Sequence, residues 1–170
     1  SYGMFMDCRN LREIALPNTI KVVEKDAFKG CTGLTVLTIP DEVRSFASLE
    51  GCSSLQEFRV SVMNSGFTAE DGILYDKGRK TLLLYPEGRV QAVFEIPDGV
   101  EKIAECAFQN ALVDTLRMTH SVVGLGLQAF RGARLKKVVL SDGIATIPGA
   151  VFQGCTGLRS VTLGSGTMYI

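Results

Sequence analysis

The chain of 170 residues has no tryptophan, a single histidine and no Cys-x-x-Cys pair among its five cysteines. A zinc site, which needs clustered nitrogen and sulfur ligands, is therefore poorly supported. No run of 18 apolar residues occurs, so no stretch reads as a membrane-spanning helix and no direct membrane insertion is expected. There is no excess of either charge: 18 basic residues balance 18 acidic ones, which removes the electrostatic footprint of a nucleic-acid binder. No Gly-x-Ser-x-Gly elbow, P-loop or dinucleotide fingerprint is found. The lone His120 follows Met118 in a polar stretch with no nucleophile or orienting group marked beside it, so it reads as an exposed turn residue. No catalytic residue, cofactor or metal ligand is assigned.

What the chain does have is repetition. A Phe-x-Gly-Cys step recurs as Phe5 to Cys8, Phe28 to Cys31, Leu49 to Cys52, Phe108 to Ala111, Phe130 to Ala133 and Phe152 to Cys155. Within two uninterrupted blocks the leading positions fall 23, 21, 22 and 22 residues apart. Each unit continues as Leu-x-x-apolar-x-apolar: Leu11/Ile14/Leu16, Leu34/Leu37/Ile39, Leu55/Phe58/Val60, Val113/Leu116/Met118, Leu135/Val138/Leu140 and Leu158/Val161/Leu163. The last two apolar positions differ by two, the period of a strand with alternate side chains inward. Pro17, Pro40 and Pro97 end these strands because proline cannot donate to a ladder. A second apolar pair, such as Val100/Ile103 or Ile144/Ile147, lines the opposite wall, and the Ala-Phe step is expected to make one short 3₁₀-like turn back. A unit of about 22 residues cannot bury its own apolar face, so stacking must close the core.

Between Val60 and Ile96 the register stretches, which predicts an insertion at about residues 61–95. Two apolar runs, Ile73 to Tyr75 and Thr81 to Tyr85, flank a five-residue turn from Asp76 to Lys80 and read as a β-hairpin. Whether its second arm joins the main sheet is left open.

The Ala-Phe-x-Gly-Cys-x-x-Leu step, the strand-Pro pattern and the Val-x-x-Ile tail resemble the BspA-like leucine-rich-repeat family from Phe5 to Ile170. The resemblance implies an α/β repeat solenoid: a right-handed superhelix of about seven rungs, with a parallel sheet on one face, short helical or 3₁₀ turns and one β-hairpin insertion. It implies one solenoid domain over residues 1–170, a fragment of a longer bacterial protein that is secreted or displayed on the cell surface. Its expected partners are a protein, such as a host or extracellular-matrix protein, or a glycan. The alternative reading is a purely structural spacer.

Two sets of residues remain. Cys8, Cys31, Cys52 and Cys155 share the repeat position filled elsewhere by Ala111 and Ala133, which asks for a small buried apolar group. Free thiols fit, while a disulfide between neighbouring rungs stays open because rungs about 5 Å apart reach bridging distance. Cys106 is off this register and reads as wall packing. The outward columns of the repeated strand form the expected partner face, with Arg59, Glu95, Arg117, Lys137 and Arg159 as its candidate contacts. Phe28, Phe108, Phe130 and Phe152 are expected to stack as one buried column. The ends carry no evident cap, which predicts that Ser1 is not the native start and that end-to-end self-association is open to the chain.

Overall fold

The structure, a computed structural model, describes residues 3–47 and 49–170. Ser1, and with it the expectation about the native start, lies outside the described residues. After β1 (Val22–Val23) on the rear wall comes β2 (Val36–Ile39) on the front, then β3 (Ser45–Phe46) on the rear and β4 (Glu57–Val60) on the front. The insertion supplies β5 (Phe67–Glu70), β6 (Ile73–Asp76) and β7 (Thr81–Leu84). The alternation resumes with β8 (Val90–Glu95) in front and β9 (Lys102–Ile103) behind. It continues through β10 (Leu112–Arg117), β11 (Gly124–Leu125), β12 (Lys137–Val139) and β13 (Ser160–Thr162). Front strands pair only with front strands and all in parallel, as the repeat requires. The alternation is visible in β2, where Leu37 and Ile39 are fully buried and Thr38 between them is exposed.

Six front strands are formed among the described residues, not the seven rungs expected. The first unit, Leu11 to Leu16, forms no strand, and Leu11, Ile14 and Leu16 are only half-buried, with no further rung packed on them among the described residues.

The expected helical turns are also absent: among the described residues there is no helix, α or 3₁₀, and the mixed α/β description gives way to an all-β solenoid. The cause lies in the backbone on either side of the aromatic residue. Two residues before and two after it, the chain is left-handed: Asp26 and Gly30 around Phe28, Cys106 and Asn110 around Phe108, Gln128 and Gly132 around Phe130, Ala150 and Gly154 around Phe152, all at φ between 53° and 74°. A left-handed residue every four positions leaves no room for a helical turn.

The insertion is a three-stranded antiparallel meander, not a two-stranded hairpin. Its first arm, β5, was not anticipated. Its last arm pairs in parallel with β9, so the meander extends the rear wall into a five-stranded sheet. On the front it has the opposite effect. The Phe58 N–H donates to the carbonyl of Gly72 at 2.8 Å, so the meander's first turn lies against β4 and splits the front wall into β2–β4 and β8–β10–β12–β13. Gly72 is required there: its φ is 73°, and a Cβ would fall 2.6 Å from that of Glu57.

Two hydrophobic cores result. Residues from Val23 to Leu74 fill one and residues from Ile73 to Val151 the other. They meet at β6, a strand buried on both faces, whose alternation sends Leu74 to the first core and Ile73 and Tyr75 to the second. The aromatic column divides at the same place. Phe5 stacks on Phe28 with centroids 5.4 Å apart, Leu49 interrupts, and a second stack runs Tyr85–Phe108–Phe130–Phe152 at 5.1, 5.4 and 5.4 Å. Phe28 thus belongs to a different stack from the three later phenylalanines, and the expected single column is two.

The turn ladder shows how the two halves are joined. In ordinary rungs the residue before the Cys/Ala position donates its N–H to a carbonyl of the next rung: Asp7 to Lys29, Gly30 to Glu50, Asn110 to Arg131 and Gly132 to Gln153, at 2.7 to 2.9 Å. Gly51 meets a side chain instead. Both carboxylate oxygens of Glu87 accept its N–H at 3.1 Å, and one of them also accepts from Asn110 Nδ2 at 3.2 Å. Glu87 therefore stands in for the carbonyl that the insertion displaced. It is 8% exposed, and burial pushes its carboxyl up to about 7 against the opposing pull of the Gly51 and Asn110 hydrogen bonds.

Candidate functional site

All five candidate contacts, Arg59, Glu95, Arg117, Lys137 and Arg159, are exposed on the front wall. They do not form one surface. Arg59, on β4, pairs in register with Thr38 and lies in the two-stranded sheet, whereas Glu95, Arg117 and Lys137 belong to the four-stranded one and Arg159 leads directly into its last strand. Within the latter, strand register sorts the outward residues into columns. Glu95, Arg117, Val139 and Thr162 form one; Val93, Thr115, Lys137 and Ser160 form the next. A third holds Asp114, Lys136 and Arg159, linked by the backbone bonds Lys136 N to Asp114 O and Arg159 N to Lys136 O.

Most of these charges already have partners. Arg59 pairs with Glu57 on its own strand at 2.5 Å, and Arg117 with Glu95 on the neighbouring strand at 3.1 Å. Asp114 takes both Lys136 and Arg134 at 2.9 Å; the Lys136 hydrogen bond, with the Arg134 guanidinium, holds its carboxyl below the usual range. Each of these pairs is exposed on at least one side, so each is weak and yields readily to an incoming ligand. Val93, 43% exposed, and the half-buried Val139 sit between the charges.

Concavities lie over the N-terminal half. A shallow front basin of about 770 Å³ is lined by residues including Arg12, Glu13, Thr35, Val36, Thr38 and Arg59. A rear groove of about 350 Å³, walled by Phe46, Phe67, Leu74, Leu83 and Leu84, marks the step between β3 and the meander. The turn after β4 carries Val62 and Met63, 90% and 73% exposed. Sequence reasoning passed over this apolar tip, although other turns place polar pairs such as Asp98-Gly99 and Asp142-Gly143 at the corresponding point.

The cysteine position has a polar function as well as a steric one. Three of the four thiols in the register reach the aromatic residue's carbonyl one rung back, Cys31 to Phe5 at 3.0 Å, Cys52 to Phe28 at 3.1 Å and Cys155 to Phe130 at 3.0 Å, whereas Cys8 in the first unit is exposed and not at the buried position expected of it. Burial pushes the Cys52 thiol up to about 12 and raises those of Cys31 and Cys155, which suppresses the nucleophilic thiolate. All five cysteines are free thiols. Cys106 has a different neighbour, Gln128 Oε1 at 3.8 Å, in keeping with its off-register place. His120 is exposed in its turn, and its carbonyl accepts from Ser141 Oγ at 3.5 Å.

Against known proteins, residues 1–69 and 90–170 match the family described as BspA type leucine rich repeat region, in six copies. The stretch left out, 70–89, holds β6, β7 and the Glu87 corner. No curated protein matches in sequence. Three solved structures share the fold. A leucine-rich cell surface protein from Faecalibacterium prausnitzii is 23% identical with a TM-score of 0.67, over 95% of this chain and 56% of its own. The pneumococcal vaccine antigen PcpA is 18% identical at 0.58, over 86% and 47%. A leucine-rich repeat protein from Eubacterium ventriosum is 20% identical at 0.50, over 78% and 53%. The chain spans about half the length of each of these structures.

Proposed function

We propose, for a chain that belongs to the BspA-type leucine-rich-repeat family, a non-catalytic role as the protein-binding module of a bacterial cell-surface or secreted protein. The observation that carries this reading is the front wall. Its strands are anchored by fully buried side chains such as Leu37, Leu116 and Val138, while variable charged and apolar residues face outward. A rigid, extended and chemically mixed surface is how solenoids hold long partners. The names of the structural neighbours, one a cell surface protein and one a vaccine antigen, support surface display. A glycan is the second partner class. The spacer reading draws on a different observation: Arg59 and Arg117 are both satisfied by acids of this chain.

Capture from a mixture of extracellular and host-surface proteins separates the two. Wild type is expected to recover a partner that an Arg59→Glu/Arg117→Glu variant loses, with equal melting temperatures for both. Equal recovery by both proteins would remove the front wall as the contact surface. Recovery of nothing by either would favour the spacer.

A further inference from the structure

The chain as a whole is neutral, but its front wall is not uniformly so. Over the first three units Arg12 and Arg59 face outward with Glu13 and Glu57, and the charges cancel. Over the four-stranded sheet the outward bases are Arg117, Arg134, Lys136, Lys137 and Arg159, against only Glu95 and Asp114. That half carries three net positive charges. Lys137 and Arg159 have no acidic partner among the described residues, and they lie one position out of register on neighbouring rungs, whose spacing is about 4.8 Å. The bases that do have partners hold them in exposed pairs, which an incoming carboxylate displaces at little cost.

We infer that the front face of β10, β12 and β13 docks an acidic, extended segment of a protein partner, with Lys137 and Arg159 as its primary anchors. Charge complementarity sets the sign of the ligand. Val139, in the column with Arg117, and Val93, in the column with Lys137, set its class. Apolar side chains set among cations suit a peptide that mixes carboxylates with aliphatic residues, and offer little to a sulfated sugar. Arg159 presents a planar fork to a carboxylate, while Lys137 acts as a movable point charge. This assignment rests on the binding role proposed above and narrows its partner.

The test uses the whole chain and defined probes: a 12-residue peptide of glutamates interspersed with valines, its lysine counterpart, and a heparin oligosaccharide of matched charge. The glutamate peptide should bind best. Its affinity should fall about tenfold in a Lys137→Glu/Arg159→Glu variant and weaken as salt is raised. A Lys21→Glu/Lys102→Glu variant, with reversals of equal charge placed beside the rear strands, should bind it as wild type does. Tighter binding of heparin, no binding of the glutamate peptide, or equal loss in both variants would overturn the assignment. If the glutamate peptide fails while the front wall still captures a protein partner, the acidic class falls and the binding role stands.

Discussion

Replacing Phe108 with alanine is expected to cost about 3–5 kcal/mol, the range for deleting a buried aromatic ring. Phe108 is 1% exposed and touches three rings: Tyr85 at 5.1 Å, Phe94 at 5.8 Å and Phe130 at 5.4 Å. It is therefore the node at which the front strand, the insertion's return and the next rung meet. The cavity left behind cannot collapse easily, because the rungs on either side are fixed by parallel ladders. Phe130, which contacts Phe108 and Phe152, should fall in the same range. Phe152 is only half-buried at the last full turn and should cost less. Urea unfolding of the three variants reads this order directly. A loss for Phe152→Ala equal to that for Phe108→Ala would contradict the stacking described.

The second large effect is on pH. The carboxyl of Glu87 is raised to about 7 from an ordinary value near 4.5, chiefly by burial, with Glu50 adding a smaller push in the same direction. A raised carboxyl means that the folded state holds the proton more tightly than the unfolded state does. Its contribution to stability is therefore fully present below about pH 4.5 and is lost as pH climbs to about 7, above which it stays flat. The loss is on the order of 3 kcal/mol. Asp114 and Asp142 are lowered instead and lose stability in acid, so the raw profile of the wild type is a composite. Glu87→Gln isolates the effect, because the amide stays neutral and keeps an oxygen for the Gly51 N–H. The stability difference between wild type and Glu87→Gln should shift by that amount against the wild type between pH 4.5 and 7. A difference independent of pH would show that Glu87 is not the buried link between the two cores.

The repeat and its strands were legible because every rung repeats the same burial problem: Leu34, Leu37 and Ile39 recur as Leu135, Val138 and Leu140, all of them buried. The helical turns were misread because the Ala-Phe step looks helical in composition, while its left-handed neighbours, Asp26, Cys106, Gln128 and Ala150, are not glycines and give no warning. Tyr85 was within reach. It stands 23 residues before Phe108, donates its N–H to Ala107 as Phe108 does to Ala129, and marks where the register resumes, well before residue 95. Reading the aromatic position as phenylalanine alone hid it. Glu87 carried no local signal, because its role follows from a carbonyl displaced one rung away. The outward residues of the front wall were legible as columns. Its division between two sheets was not, because the wedge at Gly72 comes from the insertion rather than from the strands it separates.

The front wall, and its last three strands above all, is the proposed contact surface. Amide hydrogen exchange with and without a captured partner tests it most directly. The prediction is slowed exchange in the exposed and edge amides of residues 112–117, 137–139 and 160–162, with the rear strands at 102–103 and 124–125 unchanged. Protection confined to the rear wall or to the groove beside Phe46 and Leu84 would contradict it.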